Sequence, residues 1–240
     1  MDLIDYLTEL DAAERQHKVP VPDKLDLPDG FVTEMAKLSI LSEEQGREHG
    51  CALLHDRKRP IIRYGEVAVG GPTSMNIPVS TDPDNFGNLH GHPSASIGHA
   101  GGHSAHSMQD LANFGDTRTR PYFVQFVASG PRTYAMVQVK GVSTWDETVK
   151  PFLFKLKKKE EDAILDAMVD AAGGEDAYLD RRAEAGEDAD ALDKVLTALK
   201  NTGNVGPLMQ TLSVQNCAAF AEKYHFYFYL GEDFFLTRAG

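Results

Sequence analysis

The chain is poor in cysteine. Among its 240 residues only Cys51 and Cys217 are cysteines, and they are far apart with no C-x-x-C pair. The absence of such a pair argues against a thiol redox motif and against a zinc site built on thiolates. Each cysteine lies in an apolar stretch, which predicts two reduced thiols in the protein core.

The chain is also poor in basic residues. Its 24 Lys and Arg face 36 Asp and Glu, which gives a formal net charge of −12. Because nucleic-acid binding normally needs a basic face, no nucleic-acid partner is expected. The only basic cluster, at 155–159, is followed at once by three acidic residues and is interpreted as the solvated start of a helix.

Long apolar runs are absent as well. No segment approaches the roughly 18 apolar residues of a membrane span, and the N-terminus is acidic. Neither a membrane anchor nor a signal peptide is therefore expected, and a cytoplasmic location is the default expectation. With 42% hydrophobic and 25% charged residues, the composition is typical of a folded globular protein.

Helical periodicity occurs at the start of the chain and again over much of its second half. The spacing of apolar residues predicts helices over residues 2–16 and from Asp29 to Gly46, the second capped by Asp29 or Thr33. Further helices are predicted over 158–172 and 188–200, separated by Gly173-Gly174 and an acidic stretch.

Strand-like patterns lie between these helical regions and at the end of the chain. They cover residues 51–54, 61–64 and 67–69, then 122–127 and 133–139 as a β-hairpin around Ser129-Gly130-Pro131. The aromatic run from Phe226 to Tyr229 predicts a terminal strand or hairpin that packs in the core. The segment from Asp82 to Ser107 is predicted to be a long loop that is either functional or mobile.

These patterns predict an α/β (α+β) protein with three parts. Residues 1–28 form an N-terminal helix and linker, residues 29–142 a central domain, and residues 143–240 a mainly helical extension that closes in a strand or hairpin. No internal repeat is present.

The histidines are concentrated in one region. Seven of nine lie between His49 and His106, and five of these lie between His90 and His106. In His90-Gly91-His92-Pro93 two imidazoles are separated by one residue, so on an extended segment both point to the same side. Two such imidazoles can bind one metal ion, and Pro93 ends the strand.

An acidic residue follows at a helix start. Ser107 and Asp110 form an S-x-x-D pattern before the apolar residue Leu111, which is typical of a helix N-terminus. Two histidines and one aspartate leave the fourth tetrahedral position of a zinc ion open for water. Such a site needs a general base nearby, and Glu48 is the candidate.

These residues resemble the motif of the JAMM (MPN-plus) zinc metalloproteases, in which an upstream glutamate is followed by H-x-H-P and then by S-x-x-D. His90 to Pro93 fit H-x-H-P without a change, Ser107 and Asp110 fit S-x-x-D, and Glu48 leads into the apolar segment 49–54. The resemblance covers roughly residues 30–140. It departs from the family in the thirteen residues between Pro93 and Ser107, which are more than usual, and in Cys51 and His55, which replace common glycines.

The resemblance implies a fold, a metal and a reaction. The fold is a cytidine-deaminase-like mixed β-sheet flanked by helices, and the cofactor is Zn²⁺ held by His90, His92 and Asp110. Glu48 takes a proton from the zinc-bound water and passes it to the leaving amine, while Ser107 steadies the oxyanion. The substrate is a protein or peptide, such as the C-terminal tail of a ubiquitin-like protein, cut at a peptide or isopeptide bond.

Other interpretations of the same residues stay open. Glu43 and Glu44 lie near Glu48, so the general base is not fixed by position alone. His49, beside Glu48, either tunes the proposed base or is a hydrogen-bonded structural residue. Three roles stay open for the remaining histidines of the insert, which are His99, His103 and His106. They bind a second metal, they stabilise an inhibited state, or they are residues of a flexible loop.

Two functions rival the hydrolase. One is a JAMM-like scaffold with little turnover, and the other is a metal-sensing or metal-storage protein built on the histidine-rich loop. The pattern H-E-x-x-H is absent from the sequence, which excludes the metalloprotease types that carry it on a helix. The pattern H-x-H-x-D-H is also absent, which excludes the metallo-β-lactamases.

Overall fold

The computed structural model describes residues 1–16, 20–56, 58–59, 61–72, 75, 77, 82–93, 104–186, 188–232 and 234–239. In chain order the elements are α1 (Leu3–Gln16), β1 (Lys24–Asp26), α2 (Asp29–Gln45), β2 (His49–Asp56), β3 (Ile61–Tyr64), β4 (Ala68–Val69), β5 (Asn85–Gly91), α3 (Met108–Thr117), β6 (Tyr122–Ser129), β7 (Arg132–Val139), α4 (Val149–Ala172), α5 (Glu175–Ala185), α6 (Ala189–Thr202), α7 (Val205–Tyr224), β8 (Tyr227–Glu232) and β9 (Phe235–Arg238).

The strands form one mixed sheet in the order β1-β9-β8-β7-β6-β5-β2-β3, with β4 paired to the start of β2. Only β5 and β6 run parallel, and the other pairs are antiparallel. β5 therefore lies inside the sheet, between β2 and β6. The first and last strands of the chain, β1 and β9, pair with each other at one edge.

The two faces of the sheet are covered by different helices. Along β6, Val124 and Phe126 belong to a core cluster with α1 and α2, whereas Phe123 and Val127 belong to a cluster with α3, α4 and α7. This alternation follows from the two-residue period of a strand. A third, smaller cluster lies among α4, α5, α6 and α7.

Several predictions from the sequence are confirmed. The mixed α/β class, the first two helices, the β6–β7 hairpin and the terminal hairpin β8–β9 are all present. The second helix ends where Gly46 adopts a left-handed conformation (φ 60°), as its position near the end of the pattern indicated. Cys51 and Cys217 are free and buried, and Phe226, Phe228 and Tyr229 pack in the core.

Other predictions are wrong. The first part of the proposed loop from Asp82 is the interior strand β5. Only its end at His90 and Gly91 was predicted to be extended, because the Asn and Gly residues before it have low β propensity. The basic cluster lies in the middle of α4, which begins at Val149 rather than near Lys158. Neither Asp29 nor Thr33 caps α2, because Pro28 occupies the N-cap without a side-chain hydrogen bond. The acidic stretch after Gly174 is the helix α5, and β1 and α7 had no counterpart among the predicted elements.

The proposed boundaries near residues 28 and 142 stay predictions. None of the helices in the described parts of the chain is long and apolar enough to cross a membrane.

Candidate metal centre

His90 and His92 lie at the end of β5 with their rings on the same side. Their Nε2 atoms are 3.1 Å apart, and both side chains are almost completely buried. His90 is paired in register with Val127 of β6, which places it on the face covered by α3, α4 and α7. The expectation that an H-x-H segment in extended conformation presents both imidazoles together is confirmed.

Gly91, between the two histidines, faces the opposite side of the sheet against α2. A Cβ atom at this position would lie 2.6 Å from Ser42 Oγ and 2.8 Å from the carbonyl oxygen of Leu38. The close approach of α2 therefore requires glycine between the two imidazoles. Ser42 also accepts a hydrogen bond from the backbone N–H of His49, which ties α2 to the start of β2.

Asp110 reaches the histidines from the first turn of α3. Its Oδ1 is 3.2 Å from His90 Nε2, and its Oδ2 is 3.4 Å from His92 Nε2. The carboxylate is held by the capping box of the helix, in which both the backbone N–H and the hydroxyl of Ser107 donate to Asp110 Oδ2 at 2.7 Å. The predicted helix start at Ser107 is thus confirmed.

Ser107 has its hydroxyl proton directed at this carboxylate. The same hydroxyl oxygen accepts a hydrogen bond from the backbone N–H of Asp110 at 3.1 Å. The role of Ser107 in steadying an oxyanion stays a prediction, since it requires the hydroxyl to turn away from Asp110.

Glu48 lies just before β2 and is 4% exposed. Two hydrogen bonds to the segment after β4 fix its backbone. The N–H of Glu48 donates to Gly71 O, and the N–H of Gly70 donates to Glu48 O. Its Oε1 lies 4.0 Å from His92 Nε2. Glu48, His90 and His92 each offer a ligand atom within 4.8 Å of the others, so this buried group could hold a metal ion.

Burial and mutual charge shift the ionisation of the centre. Burial favours the neutral form of Asp110, but the adjoining His90 and His92 outweigh it and hold the pKa of Asp110 well below its usual range. Burial also disfavours the charged form of His92, yet the hydrogen bond and charge of Asp110, with Glu48, raise the pKa of His92. Burial raises the pKa of Glu48, which His92 and His90 only partly offset.

Two residues outside the predicted set contact the centre. Ser104 Oγ lies 3.2 Å from His92 Nδ1, and the side-chain amide of Gln125 on β6 donates to Asp110 Oδ1 at 3.5 Å. A polar residue in the middle of the apolar strand Tyr122–Val127 was a signal that could have identified Gln125. Ser104 lies in a Ser- and His-rich stretch where no local pattern distinguishes it.

The neighbouring histidines have structural contacts. His106 is fully buried, and its Nε2 lies 3.0 Å from the carbonyl oxygen of Gln125, so the prediction of a flexible loop residue is wrong for it. Its ring also packs edge-on against Phe228. His49 Nδ1 contacts Arg47 O at 3.0 Å, as a structural histidine does. His99 and His103 lie outside the described residues.

A groove opens from the centre toward the C-terminal half of the chain. Its volume is about 580 Å³, and Glu48, His92 and Ser107 line it at the centre. Its apolar lining comes from three helices and includes Met108 of α3, Leu153 and Phe154 of α4, and Met209 of α7. Phe154 is 71% exposed.

Comparison of the chain with protein-family models, curated proteins and solved structures finds no significant match.

Proposed function

We propose that this chain is a zinc-dependent hydrolase of the JAMM type, with a JAMM-like arrangement of its mixed sheet and helices. The observation that carries the proposal is the buried convergence of His90, His92 and Asp110 with Glu48 beside them. The first and last of these residues, Glu48 and Asp110, lie 62 positions apart in the sequence, yet the side chains meet in one place.

The spacing of the two imidazole nitrogens supports a shared zinc ion. Ligand atoms at about 2.0–2.1 Å from zinc lie about 3.3 Å from each other across a tetrahedral edge. His90 Nε2 and His92 Nε2 are 3.1 Å apart, and Asp110 adjoins both, with Oδ1 3.2 Å from His90 and Oδ2 3.4 Å from His92. Two imidazoles and a carboxylate also form a donor set that suits zinc. When bound, the ion lowers the pKa of a coordinated water to about 7 and so supplies the nucleophile at neutral pH.

Glu48 has the properties of the proton carrier rather than of a fourth ligand. Its Oε1 lies 4.0 Å from His92 Nε2, farther than Asp110 Oδ2 at 3.4 Å, which favours a place beside the metal rather than on it. Because burial raises its pKa, the carboxylate is a stronger base than an exposed glutamate. Glu48 takes the proton of the attacking water at Oε1 and delivers it to the leaving amine.

The substrate proposed for this site is a peptide or isopeptide bond in an extended segment, such as the C-terminal tail of a ubiquitin-like protein. The groove has a volume of about 580 Å³, which is within the usual range of ligand pockets, and Glu48 and His92 belong to its lining. Its lining by Met108, Leu153 and Met209 favours an apolar side chain next to the scissile bond. The buried position of His106, whose ring faces Gln125 O, gives no support to a metal-storage role for this histidine.

The test combines zinc content and hydrolysis for the wild type, Glu48→Gln and Glu34→Gln. Glu34 is a matched control, because it is a half-buried glutamate that pairs with Lys37 on α2 and is not among the residues that line the groove. One zinc per chain is expected in all three proteins. Cleavage of linear and isopeptide-linked peptides should fall about 10²- to 10⁴-fold in Glu48→Gln alone, the usual contribution of a general base.

A folded wild-type chain that binds no zinc would overturn the proposal. So would a Glu48→Gln variant that hydrolyses these peptides as fast as the wild type.

A further inference from the structure

The hydroxyl of Ser104 contacts His92 on the side of the ring that faces away from the centre. His92 Nε2 points to His90 and Asp110, while Nδ1 lies 3.2 Å from Ser104 Oγ. A metal-binding Nε2 must be unprotonated, so Nδ1 carries the ring proton and donates it to Ser104. This hydrogen bond fixes both the tautomer and the rotation of the imidazole.

Ser104 begins a short segment, Ser104–His106, that the C-terminal helix α7 holds in place. The backbone N–H of Ala105 donates to Ser213 Oγ at 3.0 Å, and the thiol of Cys217 donates to His106 O at 3.5 Å. Both contacts are buried and join residues more than 100 positions apart. Ser213 donates its own proton to Gln210 O within α7, so its oxygen is oriented to accept from Ala105.

The sheet holds the same segment from the other side. The backbone N–H of Ser104 donates to Ser129 Oγ at 3.2 Å, and the His106 ring contacts Gln125 O at 3.0 Å. Ser129 and Gln125 both belong to β6, the parallel neighbour of the strand that carries His90. Three consecutive residues are therefore fixed between β6 and α7.

We propose that Ser104 is a positioning residue for His92 and that α7 holds Ser104 in place, so that the C-terminal half of the chain is part of the metal centre. This inference rests on the metal site proposed above. It assigns a role to a helix that lies outside the part of the chain resembling the JAMM family. Without the Ser104 hydroxyl the His92 ring loses its side-chain partner at Nδ1, and its orientation is held less firmly.

The experiment measures zinc affinity by competition with a chromophoric chelator in the full-length chain. Ser104→Ala is expected to bind zinc about 10- to 100-fold more weakly, the usual cost of losing a hydrogen-bond partner of a metal-bound histidine. Ser104→Thr keeps the hydroxyl and should restore wild-type affinity. The absorption spectrum of the cobalt-loaded protein should change in Ser104→Ala, because the orientation of a ligand changes.

Ser213→Ala tests the contribution of α7. It should weaken zinc binding in the same direction, since the buried N–H of Ala105 loses its acceptor. Thr211→Ala is the matched control, because Thr211 lies on the same helix but hydrogen-bonds only to Pro207 O of that helix and is exposed. Its zinc affinity should equal that of the wild type.

The outcomes separate this inference from the proposed function. A wild-type chain that binds no zinc overturns both. A wild-type chain that binds one zinc while Ser104→Ala binds it equally tightly overturns the inference alone. If Ser104→Ala does not fold, Ser104→Thr tests the inference. A folded threonine variant that binds zinc about tenfold or more weakly than the wild type contradicts a role of the hydroxyl.

Discussion

At the scale of single residues, the centre brings two imidazoles and two carboxylates together in a buried volume. Each group depends on the others, because a charge left without its partner in the interior is costly. This dependence explains the opposite pKa shifts of Asp110 and His92. His106, close to the same centre, behaves differently because it packs as a neutral ring.

His106 gives a prediction about pH. Burial, the largest effect, lowers the pKa of His106 to about 4 against an ordinary value of 6.5. The unfolded chain therefore binds a proton between pH 6.5 and 4 that the folded chain does not, so the free energy of unfolding falls as the pH drops through this range. The loss is of the order of 3 kcal/mol, at about 1.4 kcal/mol per pKa unit.

His106→Gln removes the titrating group and keeps an N–H that can donate to Gln125 O. Urea unfolding of both proteins with a chelator present, at pH 7 and at pH 4, measures the difference. The wild type should lose about 3 kcal/mol more than the variant between these two values. Equal losses in the two proteins would contradict a neutral, buried His106.

At the scale of elements, the start of α3 has two tasks. Its capping box satisfies free backbone N–H groups at the helix N-terminus, and it also fixes the orientation of the Asp110 carboxylate. One serine therefore links helix stability to ligand position. The effects of Ser107 on stability and on hydrolysis can be separated by two substitutions.

Ser107→Ala should lower the free energy of unfolding by about 1 kcal/mol, whereas Ser107→Gly should lower it by only a few tenths, because glycine is a tolerated N-cap residue. Both variants lack the hydroxyl, so both should lose about 10²- to 10³-fold in kcat if Ser107 also steadies the oxyanion. Denaturant titration and peptide hydrolysis measure the two effects. Wild-type turnover in Ser107→Gly would leave Ser107 as a cap alone.

At the scale of the whole molecule, one core joins the N-terminal helix to the strand of the metal centre. Leu3, Tyr6 and Leu7 of α1 are fully buried in the same cluster as Leu89 of β5, the residue before His90. β1 and β9 close this side of the sheet, and Arg238 contacts Asp23 at 2.9 Å. α1, β5 and β9 thus contribute residues to the same core cluster.

Leu7→Ala tests this continuity. A fully buried leucine replaced by alanine should lower the free energy of unfolding by about 2–5 kcal/mol, because it leaves a cavity in the shared core. Glu9→Ala on the exposed face of the same helix should change it by less than about 0.5 kcal/mol. Chemical denaturation measures both, and equal effects would show that α1 does not pack against the sheet.

The sequence by itself determined the elements whose pattern is local. The β6–β7 hairpin follows from two β-prone runs around a Gly-Pro turn, and the start of α3 follows from S-x-x-D before Leu111. The common direction of His90 and His92 follows from the period of a strand. These features depend on residues close in the chain, so spacing alone predicts them.

Only the tertiary structure decided which distant residues meet. The first part of β5 could not be recognised, because Asn85, Gly87 and Asn88 have low β propensity and are held by pairing with β2 and β6. The hydrogen bond from the backbone N–H of Ala105 to Ser213 joins residues 108 positions apart and follows no local pattern. Packing of α7 against the sheet brings these two segments together, because the burial of apolar side chains between the helix and the sheet is favourable.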